Sequence, residues 1–541
     1  MRVRKKVPST KRSTPSASSL AYVNKLAAIT GIMTASAAVF GGACGDPTTN
    51  TTGAGGSGLA SSASSGGKGG MGGEDLNVVA GSVSIGSTVT STAASSGGGP
   101  KCPKLDPAGG PTKFAGAFGD ASVQTGSAIA FDKSGNIIVA GSFGGTMTLG
   151  GTTLSSAGGD DVFVAKFAPS GQLLWAKSFG DGNVQAASGV GVDANGNVFV
   201  TGNFKGGINF GGGTLSAAGT LFIDVFLAKL TADGNHVWSK SFGDVNVQNV
   251  RSLSVDTAGT VVIAGFFQND VNFGGATLTS AGLYDMFVAK FDGGGTHQWS
   301  RRFGDAAGDQ NARAVAIDGS GNVYLAGDAA SSIDVGGGAM SAAGKPSAFV
   351  AKLDPMGNAM WAKLSAGDGM SKGVANAISV GSNGDVAIGG SFRGLFDFGG
   401  APVTNPGVDD AFVTVFSNAG MHVNTKTFGD LQSQSVTGVA IATNGDVFAT
   451  GNFSGSIDLD TGEVKTSAGA FDGFIARLSD KGCPTWLRHF PGPMAQLTQG
   501  LALDPTTGGV AITGSFNGSA DFGTGMLTAS GDDVFIVSVN P

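Results

Sequence analysis

Charge is scarce in this chain: only 13% of its 541 residues are Asp, Glu, Lys or Arg. Cysteine and tyrosine number three each, and histidine four. Three cysteines are too few for a disulfide-dense mini-scaffold. Four histidines leave little for a histidine-rich metal centre, and there is no His-Glu-x-x-His pair and no P-loop. No apolar run reaches the roughly 20 residues of a membrane-spanning helix. Acid is missing from the first 43 residues, which carry seven bases: Arg2, Arg4, Lys5, Lys6, Lys11, Arg12 and Lys25. Without those seven, the formal net charge of −7 becomes −14. An acidic body repels phosphate backbones, so nucleic acid is not an expected partner.

Glycine, by contrast, is abundant, with 95 residues, where a typical chain has about 7%. It signals tight turns and low-complexity tracts. The basic N-terminus leads into "LAAITGIMTASAAVFGGAC" (26–44), with an apolar run of about 15 residues, the length of a signal-peptide core. Its end, Gly42-Ala43-Cys44, resembles a bacterial lipoprotein lipobox, in which the cysteine becomes the lipidated first residue. The resemblance implies a signal over 1–43 and lipidation of Cys44. Ordinary signal cleavage and an uncleaved anchor are the alternatives. Residues 44–110 are dominated by Gly, Ser, Thr and Ala and cannot bury enough surface to offset their ordering entropy, so they read as a disordered tether.

From residue 111 onward the chain repeats every 61–63 residues. Ile129-Ala130-Phe131, Val190-Gly191-Val192 and Leu253-Ser254-Val255 begin a series of seven large-small-large triplets. Alternate residues of a strand face opposite sides, so each such strand is bulky on one face and small on the other. That suits a strand wedged between neighbouring sheets near an axis. Turns such as "DKSGN" (132–136) follow, then a β-rich run, a longer connection expected to hold a small hairpin, a third strand such as "VFVAKF" (162–167), and a fourth such as "LLWAKSFGD" (173–181). Four antiparallel strands per unit at fixed spacing predict an all-β, seven-bladed β-propeller of four-stranded blades. The seventh unit stops after its third strand, whereas "TKFAGAFGD" (112–120) precedes the first unit and matches a fourth strand. The N-terminal strand should therefore complete the last blade and close the ring.

"SGNVYLAG" (320–327) and "AFVAKLDPMG" (348–357) resemble the bacterial seven-bladed β-propeller repeat (SBBP) proteins. That resemblance implies an exported or cell-surface location and no defined chemistry.

The candidate sites divide into repeated residues and departures from the repeat. The five tryptophans, Trp175, Trp238, Trp299, Trp361 and Trp486, share one position, which suits either carbohydrate stacking or packing between blades. His236, His297 and His422 also share a position, in three different blades, and so cannot converge on a common metal or triad. The loop from fourth to first strand carries Gln124, Gln185, Gln248, Gln310, Lys372, Gln434 and Gln496. These read either as an axial-face ring that binds a polar ligand or as buried structural amides. Asp120, Asp181, Asp244, Asp305, Asp368 and Asp430 read as turn caps, with calcium the alternative cofactor. Asp458, Asp460 and Glu463 cluster where other units have glycine, a weak metal candidate. Cys102 and Cys483 are expected to pair and to staple the closing segment, in a compartment where disulfides persist.

The expected function is that of an exported, lipid-anchored envelope or surface protein, non-enzymatic, whose propeller binds or scaffolds. Its partner would be an envelope or extracellular protein or a glycan, and its only membrane contact would be the lipid. The alternative is a polysaccharide-active enzyme using the axial face, with Lys372, Asp368, Asp305 and Asp430 gathered in one cleft.

Overall fold

The computed structural model describes residues 102–541 apart from 108, 343 and 344. The signal segment, Cys44 and the tether to residue 101 lie outside the described residues. The compact body begins at Cys102, so residues 102–110 belong to it and not to the tether.

Regular structure among the described residues is all strand, and no helix there is long and apolar enough to cross a membrane. Seven four-stranded antiparallel sheets follow one another. In blade one, Gln124–Phe131, Ile137–Phe143, Asp161–Phe167 and Leu173–Phe179 lie side by side in that order. Blades two to six begin at Gln185, Gln248, Gln310, Lys372 and Gln434 and repeat the order. Each first strand contacts the first strand of the next blade, and Gln496–Leu503 of blade seven contacts Gln124–Phe131 of blade one. The first strands thus form a closed inner ring.

Small residues are required in that ring. A Cβ on Gly189 would come within 2.8 Å of Leu253 Cβ, and one on Gly191 within 2.7 Å of Val255 Cγ2, both in the neighbouring blade. Serines at such positions also bond laterally: Ser252 and Ser254 accept hydrogen bonds from the Val315 and Ile317 N–H groups, both at 3.1 Å. The second and third strands of blade one are buried at every position. That explains why "IIVAGSF" and "VFVAKF" are near-continuous apolar runs and do not alternate. The expected small hairpin is present between second and third strands, as in Thr146–Leu149 with Thr152–Ser155.

The missing strand is where the repeat count places it. Thr112–Phe118 pairs antiparallel with the terminal strand Met526–Val539, Ala115 opposite Val537 and Ala117 opposite Phe535. The rings of Phe114 and Phe118 lie 6.4 and 5.5 Å from that of Phe167 in blade one. The Cys102–Cys483 disulfide staples this segment to blade six, with Cα atoms 5.3 Å apart and a sequence separation of 381. Asp106 N–H donates to Thr485 O at 2.8 Å, Asn540 N–H donates to Pro111 O at 3.0 Å, and Arg488 donates to Gly110 O.

The tryptophans join blades. Trp175, Trp238, Trp299 and Trp361 each donate their indole N–H to a carbonyl in the turn of the following blade: Ala232, Gly293, Pro355 and Asn418, at 2.9–3.2 Å. The indole rings cover a glycine of that turn. Gly234 and Gly295 have φ of 77° and 81°, and a Cβ on either would come within about 3.1 Å of the indole. Asn424 replaces the tryptophan in blade five and reaches Asp480 O at 3.5 Å. Trp486 faces the chain ends of blade seven, where it lies against Gly109 and Gly110 of the closing segment. Packing between blades is therefore what this position does.

Candidate functional site

The loop-bearing face holds the repeated polar residues, and burial decides what they can do. All six glutamines are fully buried. Gln124 Nε2 donates to Asp120 Oδ1 at 2.8 Å and to Gly144 O at 3.1 Å. Asp120 also accepts from Ser122 N–H and Thr146 N–H, both at 2.7 Å. Gln185 and Asp181, and Gln434 and Asp430, repeat the clip, with amide-to-carboxylate distances of 2.7 and 2.8 Å. The aspartate side chain fastens the inter-blade loop to the small hairpin, and the glutamine locks the aspartate. Burial alone would raise the Asp120 carboxyl, but its hydrogen-bond donors outweigh that and hold it at about 2. Asp305, held by Ser332, Ser331 and Gln310, is depressed for the same reason. Apart from Gln496, which follows no aspartate and donates to Met494 O at 3.2 Å, these amides and carboxylates form clips inside the blade and offer no open ring.

Lys372 does not stand at the glutamine position. Gln124 lies opposite Phe143, and in blade five the residue opposite Phe392 is Gly373. The loop from Asp368 is one residue longer than that from Asp120, as it is from Asp305 to Gln310, which displaces Lys372 by one. Its ammonium group lies 3.8 Å from Asp409. Ser371 does the glutamine's work, with its hydroxyl 2.6 Å from Asp368 Oδ1 and accepting from Leu395 N–H at 2.8 Å. Gly369-Met370-Ser371-Lys372-Gly373 spells the Gly-x-Ser-x-Gly of serine hydrolases. Here the serine is buried in a strand-to-strand loop and none of its hydrogen-bond partners is histidine, so it lacks the nucleophile geometry.

The other predicted residues are spread through the ring. His236, His297 and His422 each pair with a hydroxyl three residues along their own strand, at 3.2, 3.1 and 2.8 Å. Asp460 pairs with Lys426, Glu463 with Lys465, and Asp458 caps Thr461 N–H at 3.1 Å. Among the described residues no group of three or more His, Cys, Asp or Glu converges as a metal-holding set.

Sequence reasoning missed a second aspartate set, at the start of the third strand: Asp161, Asp224, Asp285, Asp410, Asp472 and Asp533. Ala157, Ala218 and Ala281 N–H donate to one oxygen of the first three, at 2.7–3.0 Å. The other oxygen is buried with no hydrogen-bond partner in Asp161, Asp224, Asp285, Asp410 and Asp472. In Asp161, Asp224, Asp285 and Asp410 the glycine of the "FGD" signature sits against the carboxylate. A Cβ on Gly429 would meet Asp410 Oδ1 at 2.4 Å and Gln434 Oε1 at 2.6 Å. The glutamine cannot turn over, because its NH₂ group is already given to Asp430 and Ser454 O. Asp410 Oδ1 and Gln434 Oε1 thus border one small buried space, where a neutral carboxyl costs less than a charged one. Burial, then the charge of Asp244, pushes Asp224 up to about 6. Burial, then Asp430 and Asp409, pushes Asp410 up to about 7. Arg302 neutralises Asp285 in blade three, and His489 approaches Asp472 to 4.0 Å in blade six.

A closed ring of seven four-stranded sheets, completed by the N-terminal strand, makes this protein a seven-bladed β-propeller. The beta-propeller repeat family SBBP matches residues 298–334. An uncharacterized WD repeat-containing protein of Acanthamoeba polyphaga mimivirus is 26% identical over 185 residues, covering 30% of this chain and 13% of that protein. Among solved structures, the Neurospora crassa Pan2 WD40 domain is similar with a TM-score of 0.44 at 12% identity, over 81% of this chain and 98% of that one. The β-propeller domain of Cps50 (Swd1) from Myceliophteria thermophila gives 0.39 at 9% identity, over 78% and 99%.

Proposed function

We propose that this propeller is an exported, lipid-anchored module of the cell envelope or surface that binds or scaffolds and performs no catalysis. Its partner is an envelope or extracellular protein or glycan, and its lipid is carried on Cys44. The observation that carries the reading is the Cys102–Cys483 bond: a bond across the ring closure persists where thiols are not kept reduced. The internal use of the repeated polar residues supports the binding half, since it leaves the departures from the repeat to meet a ligand.

Fractionation of the native host tests this directly. The wild type should sediment with membranes, and Cys44→Ser should appear in the soluble or extracellular fraction with the Cys102–Cys483 bond intact. The purified protein should also sediment with isolated envelopes in a saturable way. A cytosolic wild type with both cysteines alkylatable before reduction would contradict the proposal.

A further inference from the structure

Five departures from the repeat stand together where blade three meets blade four beside the axis. Arg251 and Arg313 stand where blades one and two have Ser127 and Ser188. Phe266 stands where those blades have Ser142 and Asn203. Tyr284 immediately precedes the third strand, at the place of Asp160 and Ile223, and Asp309 precedes Gln310, at the place of Val184 and Val247. All five are partly exposed.

They are joined physically. The Arg251 guanidinium lies 5.1 Å from the Phe266 ring centre. Phe266 and Tyr284 have centroids 5.3 Å apart at 81°, and Tyr284 O accepts from Gln310 N–H at 3.0 Å. Arg313 is bonded to Asp328, whose second oxygen accepts from Asn311 Nδ2 at 3.1 Å. Burial, then the charge of Arg313, lowers Arg251 to about 9, and Asp328 opposes this. The Asp328 carboxylate thus pairs with one guanidinium and acts electrostatically on the other. On the loop above, burial and then the charges of Asp328 and Asp285 push Asp309 up.

We infer that this partly exposed cluster binds a carboxylate-bearing saccharide of the uronic acid class, which rests on the binding role proposed above. The sugar carboxylate is taken by the arginine pair, the preferred fork for a planar oxyanion. The apolar face of the sugar ring lies along the Phe266–Tyr284 wall, and Asp309 accepts from its hydroxyls. An acidic peptide would use the arginines but not the aromatic wall.

The test is calorimetric titration of the purified protein with trigalacturonate, with cellotriose and tetraglutamate as neutral and peptide controls. Trigalacturonate should bind saturably and the controls should not. Arg251→Ser and Phe266→Ser install residues the fold already uses at those places. Each should weaken binding at least about tenfold while leaving the melting temperature within about 2 °C. No binding of trigalacturonate, unchanged affinity in either variant, or equal binding of tetraglutamate overturns the assignment. If trigalacturonate fails while the protein still sediments with envelopes, the envelope role stands and this inference falls; if both fail, the broader reading falls with it.

Discussion

A chain that begins at Gly119, without the closing strand, should not reach a cooperative native state. The strand supplies a ladder to residues 534–539 and covers it with Phe114 and Phe118. Two partly buried phenylalanines contribute about 1–3 kcal/mol each, and ladder hydrogen bonds about 1 kcal/mol apiece. Their loss approaches the 5–15 kcal/mol that typically holds a domain. It also exposes an apolar strand edge, so aggregation is the expected outcome on expression. The milder Cys102→Ser, Cys483→Ser double variant should fold but lose about 2–4 kcal/mol, because the disulfide no longer limits the unfolded chain. Urea denaturation reads both. A truncated chain with wild-type midpoint and slope would mean that the ring is closed some other way.

Stability should fall as pH rises from about 4 to about 8, the reverse of ordinary acid denaturation. An unfolded aspartate titrates near 3.9, whereas folded Asp224 and Asp410 hold their protons to about 6 and about 7. Their contribution is fully present below pH 4 and is lost as pH passes through the folded values. Asp120 and Asp305, held low, act in the opposite sense and lose their contribution only below pH 4. Shifts of two to three units correspond to about 3–4 kcal/mol per group, and solvent screening reduces the expected sum for the pair to about 2–4 kcal/mol. The depressed histidines His297, His422 and His489 oppose the trend at the acid end, so a variant is needed to assign the slope. In Asp410→Asn the buried side chain is neutral at every pH, as the protonated carboxyl is. That variant should be about 1–2 kcal/mol more stable than wild type at pH 8, with no gain at pH 4.5. Equal pH profiles for the two proteins would remove the protonated carboxyl from the account.

The architecture was legible because steric demands recur in every unit. A first strand near the axis needs alternating large and small residues, and seven such triplets count the blades. The chain end at Pro541, after a third strand, and the early "TKFAGAFGD" locate the closure, and the disulfide follows from both. The side chains were less legible. The glutamine ring reads as a ligand site or, as its repetition favours, a buried structural amide, since spacing reveals neighbours along the chain but not burial. Lys372 was placed by counting from the signature Asp, and a one-residue insertion in the loop defeats such a count. The third-strand aspartates stood in plain view just before "VFVAK" but drew no reading, because nothing local shows that the loop from fourth to first strand buries them. Arg251 and Phe266 escaped notice for a similar reason. Each is unremarkable in its own blade, and only the packing of blade three on blade four brings them together.

Closure of the ring is the claim on which the blades, faces and clips depend. Double electron–electron resonance between spin labels at Lys113→Cys and Asn540→Cys tests it most directly, with the native disulfide retained. Neighbouring strands lie about 5 Å apart, so the account predicts a narrow distribution set mainly by the label arms, at about 20 Å or less. A broad distribution centred beyond about 40 Å would place the first and last strands in different sheets and contradict it.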